Sequence, residues 1–222
     1  EHLEVPLRFP ANHPQRTVSA LRLLCWAPGE ARAELAAALY RAYWVEGRDL
    51  NDPAELGAIA HNVGLPAADA VAGLASPAAA LQLRQRTDEA LEAGVFGVPT
   101  FIVDSHSGPR LFFGQDRLHF VEEALRRHPH AELAAEPAPP PSPLSLSWDP
   151  GRHIGPATLP PASPVANQAR EVTFFYDFAS PFAYLASTQI EALAARCGAE
   201  VKWHPLLLGG LFRSIGTADV PL

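Results

Sequence analysis

A serine set before a proline, where an apolar run gives way to a helical one, is a place where chemistry can be done. In Val172-Thr-Phe-Phe-Tyr-Asp-Phe-Ala-Ser180-Pro-Phe-Ala-Tyr-Leu-Ala186 the first half reads as a strand and the second as a helix. Pro181 suits the first helical position, and Ser180 suits the cap before it. A strand-to-helix turn exposes free backbone N–H groups and the positive end of a helix dipole. Ser180 is therefore either a plain N-cap or part of a site that stabilises an anion, such as a thiolate or carboxylate, carried in by a ligand.

A second stretch, Gly94-Val-Phe-Gly-Val-Pro-Thr-Phe101, stands directly before a predicted strand. In the thioredoxin architecture the first strand leads to a turn bearing a redox-active cysteine pair, and a cis-proline lies opposite it. Val98-Pro99 fits that proline, with a trans proline at a strand start as the alternative. The turn at Ser180 holds no sulfur, which excludes thiol–disulfide exchange there and leaves room for an external thiol such as glutathione.

The elements that must position these residues fall into three regions. Spacing near 3.6 predicts helices over 14–27, 30–45, 53–63 and 77–93, with Asp52-Pro53 as a cap and first turn. Strands are expected over 99–103 and 110–113, joined as a hairpin, and then an amphipathic helix over 116–127 with Leu118, Val121 and Leu125 on one face. Region 1–128 thus ends in β-structure and a helix. Residues 129–170, rich in Pro-Pro and Ser-Pro, read as a linker of polyproline character. Region 171–222 restarts as strand, helix (181–196) and strand (200–204), a β-α-β unit implying a parallel pair.

Composition sets the outer bounds. The chain has 222 residues, 48% of them hydrophobic, with a net charge of −7 and a pI near 5.7. That balance, with no block of Lys or Arg, argues against nucleic acid as a partner. No apolar run reaches the roughly 18 residues a membrane span needs, and no signal peptide is evident. Cys25 and Cys197 form no CxxC and no metal site of the usual spacing, and they read as buried small apolar residues. A cytoplasmic setting is the corresponding expectation.

Five stretches together carry a resemblance. Phe175–Ala186, Trp203-His-Pro-Leu-Leu-Leu-Gly-Gly-Leu-Phe212, Ala42-Tyr-Trp-Val-Glu-Gly-Arg-Asp49, Gly94–Phe101 and Gly114-Gln-Asp-Arg117 resemble the 2-hydroxychromene-2-carboxylate isomerase family. That family is related to kappa-class glutathione transferases and DsbA-like proteins. The resemblance implies an α/β fold, a thioredoxin-like domain with an inserted all-helical domain. It implies glutathione as cofactor, a small aromatic substrate and a homodimer or tandem-domain assembly. It gives Ser180 the catalytic role of assisting the glutathione sulfur, which adds reversibly to the substrate's conjugated alkene. Val98 and Pro99 would meet the cysteinyl part, and Asp116 the γ-glutamyl ammonium with Gln115 and Arg117 as helpers. Asn12 matches a family Asn near the ligand. Helix caps remain the alternative for Asp116 and Asn12, and His204 reads as structural. A kappa-like transferase and a non-catalytic glutathione-binding module are the competing functions.

The order of the parts departs from the family, whose second half here comes first. The chain begins with Glu, contains no Met, and lacks a stretch expected between the two halves. A tandem fusion, a circular permutation or a loss of residues would each give this order. The linker, joining a natural C-terminus to a natural N-terminus, points to tandem fusion. The domain would then be completed by segments outside this sequence.

Overall fold

The computed structural model describes residues 4–105, 108–126 and 170–217. The linker reading therefore lies almost wholly outside the described residues. Five helices come first: α1 (Val18–Trp26), α2 (Arg32–Trp44), α3 (Pro53–Asn62), α4 (Ala67–Gly73) and α5 (Pro77–Glu92). Strands β1 (Thr100–Val103) and β2 (Arg110–Phe113) and helix α6 (Leu118–Arg126) follow. The remainder is β3 (Arg170–Tyr176), α7 (Pro181–Arg196), β4 (Ala199–Pro205) and α8 (Leu208–Ser214).

Both parts of the chain close one sheet, in the order β2-β1-β3-β4. β1 runs antiparallel to β2 and to β3, while β3 and β4 are parallel. The decisive register sets Thr100 opposite Phe175 and Val103 opposite Val172. That pairing seats Pro99 and Ser180 at the same end of the sheet, so the two motifs meet within one chain.

Alternation along β3 divides the core. Val172, Phe174 and Tyr176 join the main cluster with Phe101, Leu118, Val121 and the α7 residues Ile190 and Leu193. Phe101 stacks on Phe174 with centroids 5.3 Å apart, and Phe174 on Tyr176 at 5.2 Å. Phe175 points the other way, to a smaller cluster with Ala90 of α5, Val95, Leu206 and Leu211 of α8. At the other end of β3, the Arg170 guanidinium donates to the carbonyls of Leu125 (3.3 Å) and Cys197 (2.8 Å), tying the ends of α6 and α7 to the strand.

Several boundaries differ from the periodicity. α1 begins at Val18 because residues 12–15 are held by tertiary bonds. Gln15 donates to Asn12 Oδ1 and the Arg48 carbonyl, accepts the Leu50 N–H, and gives its own N–H to the Tyr43 hydroxyl. α4 and α8 were not expected. The first hides among Ala and Gly after Pro66, and the second contains Gly209-Gly210, which propensity reads as a breaker. α4 is fixed by packing: a Cβ on Gly73 would lie 2.5 Å from the Trp26 ring.

Candidate active site

The Ser180 turn is built by capping. Ser180 is the N-cap of α7 with Pro181 at the first turn, and its Oγ accepts the Ala183 N–H at 3.1 Å. The same hydroxyl, only 7% exposed, donates its proton to the Val98 carbonyl at 3.3 Å. The plain N-cap role is therefore real, and it engages a lone pair of the hydroxyl while the proton goes to the Val98 carbonyl.

Val98-Pro99 is a cis peptide, as is His13-Pro14. Val98 is buried and, among the described residues, its N–H has no backbone partner. Pro99's carbonyl accepts the Gly114 N–H at 2.9 Å, which brings the Gly114–Arg117 turn beside the proline loop. Gln115, Asp116 and Arg117 form a 3-10 turn there, and Gln115 is half-buried. Among the described residues Asp116 makes no cap bond; its carboxylate is exposed and 3.4 Å from the Arg117 guanidinium. Gly114 has φ +105°, and a Cβ there would sit 2.5 Å from Asp116 Oδ1.

Asn12 does not cap α1, whose N-cap is Thr17, and its Oδ1 accepts from Gln15 at 2.7 Å. No hydrogen bond among the described residues joins it to the Ser180–Val98 pair. Its neighbour His13 reaches the turn indirectly: the ring lies 5.1 Å from Trp44, whose indole N–H donates to the Phe178 carbonyl at 2.9 Å. Burial lowers the His13 pKa below its ordinary value.

Sequence reasoning passed over Asp177, at the end of β3. Its side chain is 1% exposed. Oδ1 accepts the Ala179 N–H at 3.1 Å and Oδ2 the Leu208 N–H at 2.8 Å. Burial pushes its carboxyl above the ordinary aspartate range, opposed by these N–H bonds and by the Thr17 hydroxyl. An acidic residue ending an apolar strand was the signal that could have found it.

His204 is structural in its contacts. It is buried, its Nε2 lies 2.9 Å from the Arg86 carbonyl, and its ring packs on Phe175. It borders a groove of about 500 Å³ on the α5 side of the sheet, lined also by Gln82, Glu89, Thr173 and Lys202. Neither Ser180 nor Val98 lines that groove. Cys25 and Cys197 are both free and buried. Cys197 follows the C-terminus of α7, a 16-residue helix about 24 Å long, so it stands far from Ser180.

The Ser180 turn thus closes on a cis-proline across the β3–β1 junction. Residues 1–126 and 171–221 match the DSBA-like thioredoxin domain. The chain belongs to that family. It is 36% identical over 122 residues to 2-hydroxychromene-2-carboxylate isomerase of Sphingobium xenophagum, covering 55% of this chain and 60% of the relative. Identity to glutathione S-transferase kappa 1 of Homo sapiens is 27% over 135 residues, 56% of this chain and 60% of that protein. The isomerase of Pseudomonas putida shares 31% over 125 residues, 55% and 58% of the two chains. A solved structure of 2-hydroxychromene-2-carboxylate isomerase is 26% identical, with a TM-score of 0.47 over 55% of this chain and 57% of that one. The chain thus spans about 60% of the length of the relatives it matches. The thioredoxin-like fold, with helices α1–α5 ahead of β1, is the DSBA-like one. No helix among the described residues is long and apolar enough to cross a membrane.

Proposed function

We propose that the chain carries the active site of a glutathione-dependent isomerase of the 2-hydroxychromene-2-carboxylate type, acting in the breakdown of aromatic compounds. The observation that carries this reading is the placement of the Ser180 hydroxyl between the first turn of α7 and the Val98 carbonyl. Its acceptor lone pair is engaged by Ala183, and its proton is parked on a carbonyl. A docked anion can take that proton by a rotation about one bond while the helix cap stays intact.

The donor set suits a glutathione thiolate: one hydroxyl, the first-turn N–H groups of a long helix, and the dipole behind them. With both cysteines elsewhere, the sulfur at this turn must come with the ligand. When bound, glutathione supplies a thiol able to add to a conjugated alkene and leave again. The chain's own residues hold and orient it. Once Ser180 turns away, the Val98 carbonyl becomes an acceptor and its N–H a donor for a peptide-like ligand backbone. Asp116, exposed on the adjoining turn, offers a carboxylate to an ammonium group.

Exposed aromatic rings surround these groups. Phe182 follows Pro181, and Phe96 and Phe113, with ring centroids 4.8 Å apart, flank the proline loop. They favour an aromatic substrate. Similarity to a protein named glutathione S-transferase kappa 1 supports a second reading, transfer of glutathione to another electrophile. A homodimer or a pair of such domains belongs to the same proposal.

Rates on 2-hydroxychromene-2-carboxylate, measured with and without glutathione, test it. Isomerisation that needs glutathione and weakens in Ser180→Ala supports the first reading. Conjugate formation with a general electrophile and no isomerisation favours the transferase, and a rate indifferent to glutathione overturns both.

A further inference from the structure

Asp177 makes more bonds than a turn requires. Besides the two N–H groups on its carboxylate, its backbone carbonyl accepts the Ser180 N–H at 3.2 Å and the Tyr40 hydroxyl at 3.4 Å. One residue thus ties β3, the Ser180 turn, α2 and the entry to α8 together. Each carboxylate oxygen takes one N–H, so the place calls for two acceptor atoms, which Asn cannot supply.

The charge at this place is also unusual. Carboxylates are rarely fully buried unless paired, and among the described residues no salt bridge includes Asp177. The groups facing it are Tyr176 of β3, Tyr40 and Tyr43 of α2, the Thr17 hydroxyl ahead of α1 and the Leu208 N–H of α8. Two cations, Arg32 of α2 and Arg86 of α5, act on the neighbouring Tyr176. Asp177 is separated from Ser180 by two residues and bonded to one of them, Ala179.

We propose that Asp177 is the positioning residue of the Ser180 site: its carboxyl group fixes the Ala179–Ser180 backbone, and its ionised form sets a negative charge against which a thiol at Ser180 ionises. The thiol part rests on the glutathione reading above. The physical sense is balance. A hydroxyl, a helix N-terminus and free N–H groups together draw a thiol's pKa down, and a thiolate loses nucleophilicity as its pKa falls. A buried carboxylate close by draws it back towards neutrality, where attacking and leaving are both fast.

Ser180→Cys places a thiol at this point without any ligand, and thiolate absorbance against pH reads its midpoint. Adding Asp177→Asn is expected to lower that midpoint by about one pH unit; equal midpoints in the two proteins overturn the inference. If the double variant does not fold, Ser180→Cys alone still decides. Coupling is reciprocal, so ionising the thiol must move the carbon-13 resonance of the Asp177 carboxyl. A thiol titration that leaves that resonance still overturns the inference. Glutathione binding to the unsubstituted protein, measured by calorimetry, is judged separately. Its absence sinks the proposed function, while the charge coupling between positions 177 and 180 stands or falls on the titrations. Where glutathione does bind, Asp177→Asn must shift the pH midpoint of kcat/KM down by the same amount, which a purely structural role would not do.

Discussion

The Ser180 hydroxyl lies 3.3 Å from the carbonyl oxygen of Val98, 82 residues earlier in the chain. This bond joins the two parts of the polypeptide at the point where their chemistry meets. Replacing Ser180 by Ala removes the α7 cap and the proton donor together. Stability should fall by about 1 kcal/mol in urea unfolding, and kcat by about 100-fold. Ser180→Thr, which keeps both the oxygen and its proton, should recover most of the stability and part of the rate. An Ala variant with unchanged kcat removes Ser180 from the mechanism.

Trp44 links the helical segment to the same turn. Its indole N–H donates to the Phe178 carbonyl at 2.9 Å, and both residues are fully buried. Trp44→Phe keeps an aromatic ring but strands that carbonyl. The expected cost is about 1–3 kcal/mol, with a weaker glutathione affinity because the turn loosens. Calorimetric melting and ligand titration measure the two effects. A stable variant with normal affinity would show that the turn does not depend on α2.

Ser180-Pro181 and Val98-Pro99 were legible in the sequence because their physics is local: a cap needs a hydroxyl, and a proline before a strand has few geometries. The strands of the sheet were legible for a related reason, since period-two apolar runs must share one face. α8 was not, because Gly209 and Gly210 disfavour a helix that exists through contacts from elsewhere. Leu211 is buried with Val95 and Phe175, and Leu208 N–H is held by Asp177. Asp177 itself escaped notice because its partners come from the turn, α2 and α8. Asn12 matched by type, yet its amide is engaged by Gln15 for reasons of loop packing.

Gly114 makes the Asp116 turn possible. At φ +105° any side chain is strained, and here a Cβ would also strike Asp116 Oδ1. Gly114→Ala should cost about 1–3 kcal/mol and displace the carboxylate, reducing glutathione affinity. Gly108 provides the comparison, with φ +107° and nothing within 4 Å. Gly108→Ala should lose stability by a similar mechanism while binding glutathione normally. Equal affinities in the two variants would remove Asp116 from the ligand's contacts.

His204 gives the fold an acid limb. Since the Arg86 carbonyl can only accept, Nε2 carries the proton of the neutral ring. Burial lowers the pKa of the folded state below the ordinary value of 6.5, in the face of the opposing Arg86 carbonyl bond and the Glu89 carboxylate. The unfolded chain therefore takes up a proton first as pH falls. The stability conferred by the neutral ring is complete above about pH 6.5 and is lost as pH drops from there through the folded-state pKa. His204→Gln keeps a donor for the Arg86 carbonyl but cannot titrate. Urea unfolding at about pH 7.5 and about pH 5.5 should show a smaller loss on acidification for this variant than for the unsubstituted protein. Equal losses would mean that His204 is protonated alike in both states.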